Sequence, residues 1–200
     1  MFITFEGGEG TGKTTLIQLV KNALIKNHEV ITTREPGGSM ITEAIRDIIL
    51  NPIYQGVTPI TEALLLAASR AQHLDEVILP ALKAHQIVLC DRFIDSSLAY
   101  QAFARNLGFD FVLAINDYAT KHMPDLTFYI DLDPKVGMTR IQNRDKYDRL
   151  DRETDQFHEN VRKGYLEVVR RYKNRIIMID GNQSIDAIVS EIVQKINERL

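Results

Sequence analysis

The opening sixteen residues restrict the fold more than any other stretch of this chain. Phe2-Ile-Thr-Phe5 is a short, mostly apolar run, Gly7-Gly-Glu-Gly-Thr-Gly12-Lys13-Thr14 follows it with the spacing Gly-x4-Gly-Lys-Thr, and apolar residues then recur at helical spacing from Leu16. Strand, glycine-rich loop and helix in that order form a phosphate-binding loop. Gly7, Gly8, Gly10 and Gly12 let the backbone N–H groups of the loop, through Glu9, Thr11 and on to Thr15, curl into a concave nest. Together with the positive end of the following helix dipole, that nest favours an anion of several negative charges. Lys13 is expected to reach the outer phosphates, and Thr14 places its hydroxyl where such loops bind magnesium. A glycine-rich turn matching by chance would lack the strand before it and the helix after it. Nucleoside triphosphate binding follows; what receives the phosphate is left open.

Beyond the loop, strands alternate with helices. Leu16, Ile17, Val20, Ala23 and Leu24 carry the first helix to about Lys26, and 29–33 is a second strand. Arg34-Glu-Pro-Gly-Gly38 breaks regular structure at the carboxyl end of that strand, the edge where open α/β sheets place ligands. Residues 39–50 return to helix on the stripe Ile41, Ala44, Ile45, Ile48, Ile49. Thr58-Pro59 caps a longer helix running to about Val77, with Pro80 kinking or ending it. Ile87 to Cys90 is an unbroken apolar strand, the pattern of a central parallel strand covered on both faces. Residues 95–105 and 109–121 read as helical, 126–132 as a fourth strand, and Pro134 to about Arg144 as a helix. The segment 145–153 is densely charged, 155–173 a long helix, 175–179 a fifth strand and 185–200 a closing amphipathic helix. The alternation predicts an α/β chain with a five-stranded parallel sheet, helices on both faces and right-handed crossovers. No repeat or linker divides it, so 1–200 is read as one domain with a charged lid at about 142–153.

Composition narrows the function classes. Two hundred residues and 44% apolar content suit one soluble domain with a substantial core. A net charge of -3 argues against a nucleic-acid scaffold, which normally carries a basic surplus. The start of the chain enters its first strand directly, without a signal sequence, and no apolar run approaches membrane-spanning length, so a cytoplasmic chain is expected. The single cysteine, Cys90, sits in an apolar strand and reads as a buried structural thiol.

Magnesium bridging phosphates takes oxygen ligands, and Thr14 supplies only one. Asp91 ends an apolar strand expected beside the first, so its carboxylate should emerge at the edge of the loop; an N-cap for the next segment is the plainer alternative. Arg92 follows with forked donors that match a phosphate. Arg34, Arg46 and Arg70 gather near the same edge, each also readable as a solvated surface charge. Glu9 inside the phosphate loop is unfavourable unless it faces a non-phosphate partner, such as a sugar hydroxyl on a second substrate. The run from Arg140 through Arg144 and Arg149 to Glu153 interleaves both signs. It is either a solvated face with internal ion pairs or a lid that closes over phosphates and brings arginine to the developing charge.

Along its whole length the chain resembles the bacterial thymidylate kinases. The resemblance rests on Phe5-Glu-Gly-Gly-Glu-Gly-Thr-Gly-Lys-Thr-Thr15, Thr33-Arg-Glu-Pro-Gly-Gly38, Ala67-Ala-Ser-Arg70, Asp91-Arg-Phe93 with Ser96-Ser-Leu-Ala-Tyr-Gln101, and Arg149-Leu-Asp151. It implies the three-layer P-loop fold, transfer of the terminal phosphate of ATP to the 5′-phosphate of dTMP with Mg2+, and a homodimer formed through the helices at 39–50 and 59–77. The same resemblance gives Glu9 the deoxyribose 3′-hydroxyl, gives Arg92, assisted by Arg46, the dTMP phosphate, and turns Arg70 and Gln101 toward the thymine ring. Tyr100 would pack on the sugar and disfavour a 2′-hydroxyl, and Ser97 would line the base site. Pro36 lies in the substrate-side turn. Glu35 and Asp91 would organise magnesium and its waters, and Arg140 would lie along the adenine. The family supplies its transferring arginine either from the phosphate loop or from the lid. Gly10 stands where the first arrangement has arginine, which leaves Arg144 and Arg149 as candidates. One departure concerns the base: Leu66 occupies the position where the family usually stacks phenylalanine on thymine, a difference of about 1 kcal/mol if scaled from aromatic pairs.

The implied chemistry is in-line transfer without a covalent enzyme intermediate, driven by positioning and charge neutralisation. Two alternatives stand beside it: a kinase for another nucleoside monophosphate or for a nucleoside, and a nucleotide-dependent regulatory NTPase whose segments reorder on hydrolysis.

Overall fold

The computed structural model describes residues 1–141 and 148–200. Arg144 and the amino-terminal half of the expected lid, 142–147, therefore lie outside the described residues. The strands are β1 (Phe2–Glu6), β2 (Val30–Arg34), β3 (Ile87–Asp91), β4 (Leu126–Asp131) and β5 (Ile176–Asp180). They form one parallel sheet in the order β2-β3-β1-β4-β5. The expected five-stranded α/β architecture is what the chain adopts.

Each central strand is buried on both faces because alternate residues serve different layers. From β1, Ile3 and Phe5 join Leu89, Phe128 and Ile130 against α1 (Lys13–Leu24) and α10 (Ile185–Asn197), which contribute Leu16, Val20, Ile188, Ile192 and Ile196. The opposite face of the sheet carries Phe2, Val88 and Cys90 against Leu74, Ile78, Phe93 and Ile94. Next to these, Tyr129 and Ile176 meet the Leu98–Ala104 segment and α9 (Asp155–Arg171). The two helical layers leave the carboxyl edge of β1 and β3 open, and every candidate group described below stands at that edge.

Several helices depart from the simple periodic expectation, each for a local reason. α2 (Met40–Leu50) begins at a capping box between Ser39 and Thr42, and α3 (Pro59–His73) begins at Thr58, whose hydroxyl accepts from the Thr61 N–H. The coil after α3 does not end at Pro80. It widens into a π-helical turn, Leu74–Ile78, and continues as α4 (Leu79–Lys83), with Pro80 just past the widened turn. The segment expected as a helix at 95–105 is α5 (Ile94–Ser97) followed by the π-helix Leu98–Ala104. The stretch 109–121 splits into α6 (Phe109–Ile115) and α7 (Asp117–Thr120). Asn116 marks the break: its side-chain amide donates to the Val112 carbonyl, competing with the backbone ladder. α8 (Pro134–Ile141) follows β4.

Candidate active site

The sequence of β1 ends in Glu6 and that of β3 in Asp91, and the parallel register brings Phe5 opposite Asp91. This pairing sets the phosphate loop beside the Asp91-Arg92 turn. Gly10 and Gly12 are left-handed, at φ 70° and 84°, a conformation open to glycine at little cost. Gly10 also lies so close to Gly137 of α8 that a Cβ there would overlap the Gly137 backbone. An arginine at position 10 is therefore excluded twice over, by backbone conformation and by space.

Lys13 is buried, and its ammonium donates to the carbonyls of Gly7 at 3.1 Å and Gly8 at 3.0 Å and to the Thr11 hydroxyl. Burial lowers its pKa, which Asp91 and Glu9 partly offset. The Thr14 hydroxyl donates to Asp91 Oδ2 at 3.2 Å, and Asp91 Oδ1 is buried with no hydrogen-bond partner. A hydroxyl and a carboxylate with a spare buried oxygen, beside a phosphate loop, form a donor set that fits a hard divalent cation. Among the described residues no group of three or more His, Cys, Asp or Glu is gathered to hold a metal. A cation here would take its remaining oxygens from phosphate and water.

Arg92 is a non-glycine residue at φ 69°, a strained conformation that the surroundings enforce. Glu6, fully buried, accepts from the Phe93 N–H at 2.8 Å and from Ser96 and Tyr165 hydroxyls at 2.6 and 2.9 Å, clamping the turn. Burial, with Asp95 nearby, pushes the Glu6 carboxyl up to about 7. Arg92 in turn donates to Gly7 O, Ser96 and Tyr165, and at 2.7 Å to Glu9. Tyr100 also donates to Glu9 at 2.7 Å. Burial would raise the Glu9 carboxyl, but Arg92 and Lys13 outweigh it and bring it down to about 2. A carboxylate, a guanidinium and a phenol thus face one another at the mouth of the phosphate loop.

Deeper in the same cleft, α3 presents Leu66 and Arg70 one turn apart. Arg70 is buried and donates to Glu35, to Asn116 at 2.6 Å and to the Phe93 carbonyl at 3.1 Å. Those bonds occupy three of its five N–H donors. Arg46 holds the Pro36 carbonyl at 2.7 Å. Ser97, Tyr100 and Gln101 complete the wall, the last two on the π-helix, a form that recurs at functional sites.

The cleft gathers Glu9 to Thr15, Glu35, Pro36, Arg46, Leu66, Arg70, Asp91, Arg92, Ser97, Tyr100 and Gln101 into one continuous lining. Three expected residues also make contacts within the protein. Both Glu35 oxygens are taken by Arg70 at 2.7 Å and His73 at 3.0 Å, and the far side of that imidazole meets Thr33. Arg149 donates to Glu62 and to the Ile49 carbonyl. Arg140 approaches the Gly10 carbonyl at 3.4 Å. Glu6, Tyr165 and Glu62 escaped the sequence reading. Glu6 ends an apolar strand just as Asp91 does, and Glu62 falls four and eight residues before Leu66 and Arg70, on the same helical face. Tyr165 arrives from a distant helix with no local signal.

A family model described as thymidylate kinase matches residues 5–192. The thymidylate kinase of Acholeplasma laidlawii (strain PG-8A) is 60% identical over 203 residues, covering 100% of both chains. That of Clostridium novyi (strain NT) is 50% identical over 195 residues, covering 96% of this chain and 95% of its own. In structure, the chain is similar to the crystallised thymidylate kinase of Ehrlichia chaffeensis, with a TM-score of 0.82 and 30% identity over 98% of each chain.

Proposed function

The chain is an enzyme of the thymidylate kinase family, and we propose that it transfers the terminal phosphoryl group of ATP to the 5′-phosphate of dTMP, giving dTDP. The observation that carries this reading is a single cleft in which the phosphate loop, the Glu9–Arg92–Tyr100 cluster and the Leu66–Arg70–Gln101 wall follow one another. Donor phosphates, acceptor phosphate with sugar, and base would occupy these in turn.

Lys13 exchanges its loop carbonyls for phosphate oxygens, which neutralise a buried ammonium better than neutral acceptors do. Arg92, kept charged beside Glu9, meets the acceptor phosphate, with Arg46 nearby. Glu9 is deprotonated at neutral pH and offers its second oxygen to the sugar 3′-hydroxyl. Tyr100, held by Glu9, closes the sugar side. Arg70 and Gln101 donate to the base, while Ser97 and the aliphatic Leu66 give it a smooth wall. Glu35 holds Arg70 in place, which supports the base site, and the remaining lone pairs of its carboxylate can accept from waters around the cation. Thr14 and Asp91 would hold Mg2+, which when bound neutralises charge between the phosphates. Arg140 lies on the donor side, and the arginine that meets the transferring phosphoryl group comes from the lid. The reacting groups are oriented in line and shielded from water, so positioning and charge supply the rate.

Among the described residues no helix is long and apolar enough to cross a membrane, and both substrates are water-soluble nucleotides. We place the enzyme in the cytoplasm, as one kinase domain over 1–200. Exposed Ile41, Ile48, Ile60 and Leu64 on α2 and α3 form the face through which two copies would pair.

Acceptor choice tests the reading. With ATP as donor, dTMP should be phosphorylated far faster than dUMP, dGMP or thymidine, and hydrolysis without acceptor should be negligible. Lys13→Ala and Arg92→Ala should each lose at least about 10³ in turnover while remaining folded. Equal use of dGMP or thymidine, or nucleotide hydrolysis indifferent to the monophosphate, would sink the assignment.

A further inference from the structure

Glu62 lies on α3 one turn before Leu66 and two before Arg70, and its carboxylate is 1% exposed. Its Oε1 accepts from the Gln101 amide at 2.9 Å and from Arg105 Nε at 3.4 Å. Its Oε2 accepts from Arg105 Nη2 at 3.3 Å and from Arg149 Nη2. Burial raises the carboxyl's pKa, and Arg105 followed by Arg149 and Gln101 outweigh it, so the group stays ionised. Arg105 continues to Glu153 at 2.5 Å. The strap 148–153 is thus fastened to this one carboxylate twice, directly through Arg149 and through Arg105 to Glu153.

The same strap lines the cleft with Asp148, Leu150 and Asp151. The backbone N–H of Arg149 donates to the Leu50 carbonyl, and its Nε to the Ile49 carbonyl at 2.8 Å, docking the strap on the end of α2. Gln101, on the other side of Glu62, lines the base end of the cleft. Gln101 and Arg149 therefore share the Glu62 carboxylate as a common acceptor. Release of one guanidinium leaves the buried carboxylate with fewer compensating donors, which favours movement of the groups around it as a set.

We propose that Glu62 is a positioning residue for the phosphoryl transfer: one carboxylate holds the base-facing Gln101 and the strap over the acceptor pocket as a single unit, so that filling the base end and docking the strap are coupled. The assignment rests on reading the cleft as the dTMP site.

Steady-state kinetics on the full chain, with dTMP varied at saturating ATP, test it for wild type, Glu62→Gln, Gln101→Leu and the double variant. Glu62→Gln should raise KM for dTMP about tenfold while KM for ATP stays within twofold. Adding Gln101→Leu to it should change KM by less than twofold, because an unheld Gln101 no longer contributes. Single effects that multiply in the double variant, or a loss of thermal stability with KM for dTMP unchanged, overturn the inference. Should Glu62→Gln not fold, Gln101→Leu, Arg149→Met and their double give the equivalent cycle across the bridge, with multiplying effects again decisive against it. Wild type inactive on dTMP would strike the functional reading instead; wild type active on dTMP with multiplying effects strikes the coupling alone.

Discussion

At the scale of single residues, the site is built on charged groups whose surroundings fix their state. Glu6 is the clearest case, because its carboxylate clamps the left-handed Arg92 turn from a fully buried position. Its carboxyl is raised from the ordinary 4.5 to about 7, so the folded protein binds that proton more tightly than the unfolded chain. Between pH 4.5 and 7 this group therefore makes unfolding free energy fall as pH rises, by on the order of 3 kcal/mol in total. Glu6→Gln should flatten the decline, measured as the difference between variant and wild type in denaturant unfolding at pH 5 and pH 8. An identical pH slope in both proteins would refute the assignment of that proton to Glu6. The lid arginines separate by another measurement. Whichever of Arg144 and Arg149 meets the transferring phosphoryl group should lose about 10³ or more in kcat on replacement by alanine, and the other should lose less than tenfold. Gly10 could be read in the sequence as a missing arginine. That its left-handed backbone rests against Gly137, closing the position to any side chain, could not, because α8 lies far along the chain.

At the scale of elements, the π-helix Leu98–Ala104 carries Tyr100 and Gln101 into the cleft, and α9 braces it from behind. Gly164 permits the close approach: a Cβ there would sit 2.7 Å from the Ala99 carbonyl oxygen and 2.9 Å from Phe103 Cβ. Alanine is the better helix former by about 1 kcal/mol, yet overpacking against backbone costs about 1–3 kcal/mol. Gly164→Ala should therefore lower unfolding free energy by up to about 2 kcal/mol and raise KM for dTMP. Chemical unfolding with increased stability, alongside an unchanged KM, would show that the two helices separate at no cost. Periodicity predicted helix over this segment correctly in outline. It could not indicate a π register, since the apolar stripe of Leu98, Ala99 and Ala102 is compatible with either winding, and the choice depends on packing against α9.

At the scale of the whole molecule, the exposed apolar face of α2 and α3 sets the expected assembly. Replacing Ile41 and Leu64, which are 50% and 48% exposed, together by lysine should convert a dimer of about twice the 22.8 kDa chain mass into a monomer. Light scattering on size-exclusion would read the change, and a wild-type chain already monomeric would remove the dimer from the proposal. The strand–loop–helix start, the apolar strand ending in Asp91 and the alternation of strands with helices determined the parallel sheet and the phosphate-binding edge from sequence alone. These features are local: spacing, glycine content and apolar runs act within a few residues of one another. The packing of distant elements decided the rest. Tyr165 accepts from Arg92 and Glu6 accepts from the neighbouring Phe93 N–H across 73 and 87 positions of chain, Asn116 reaches Arg70, and Glu62 gathers Gln101, Arg105 and Arg149. A buried charge must find its partners wherever the fold brings them, and no local pattern records which residues those will be.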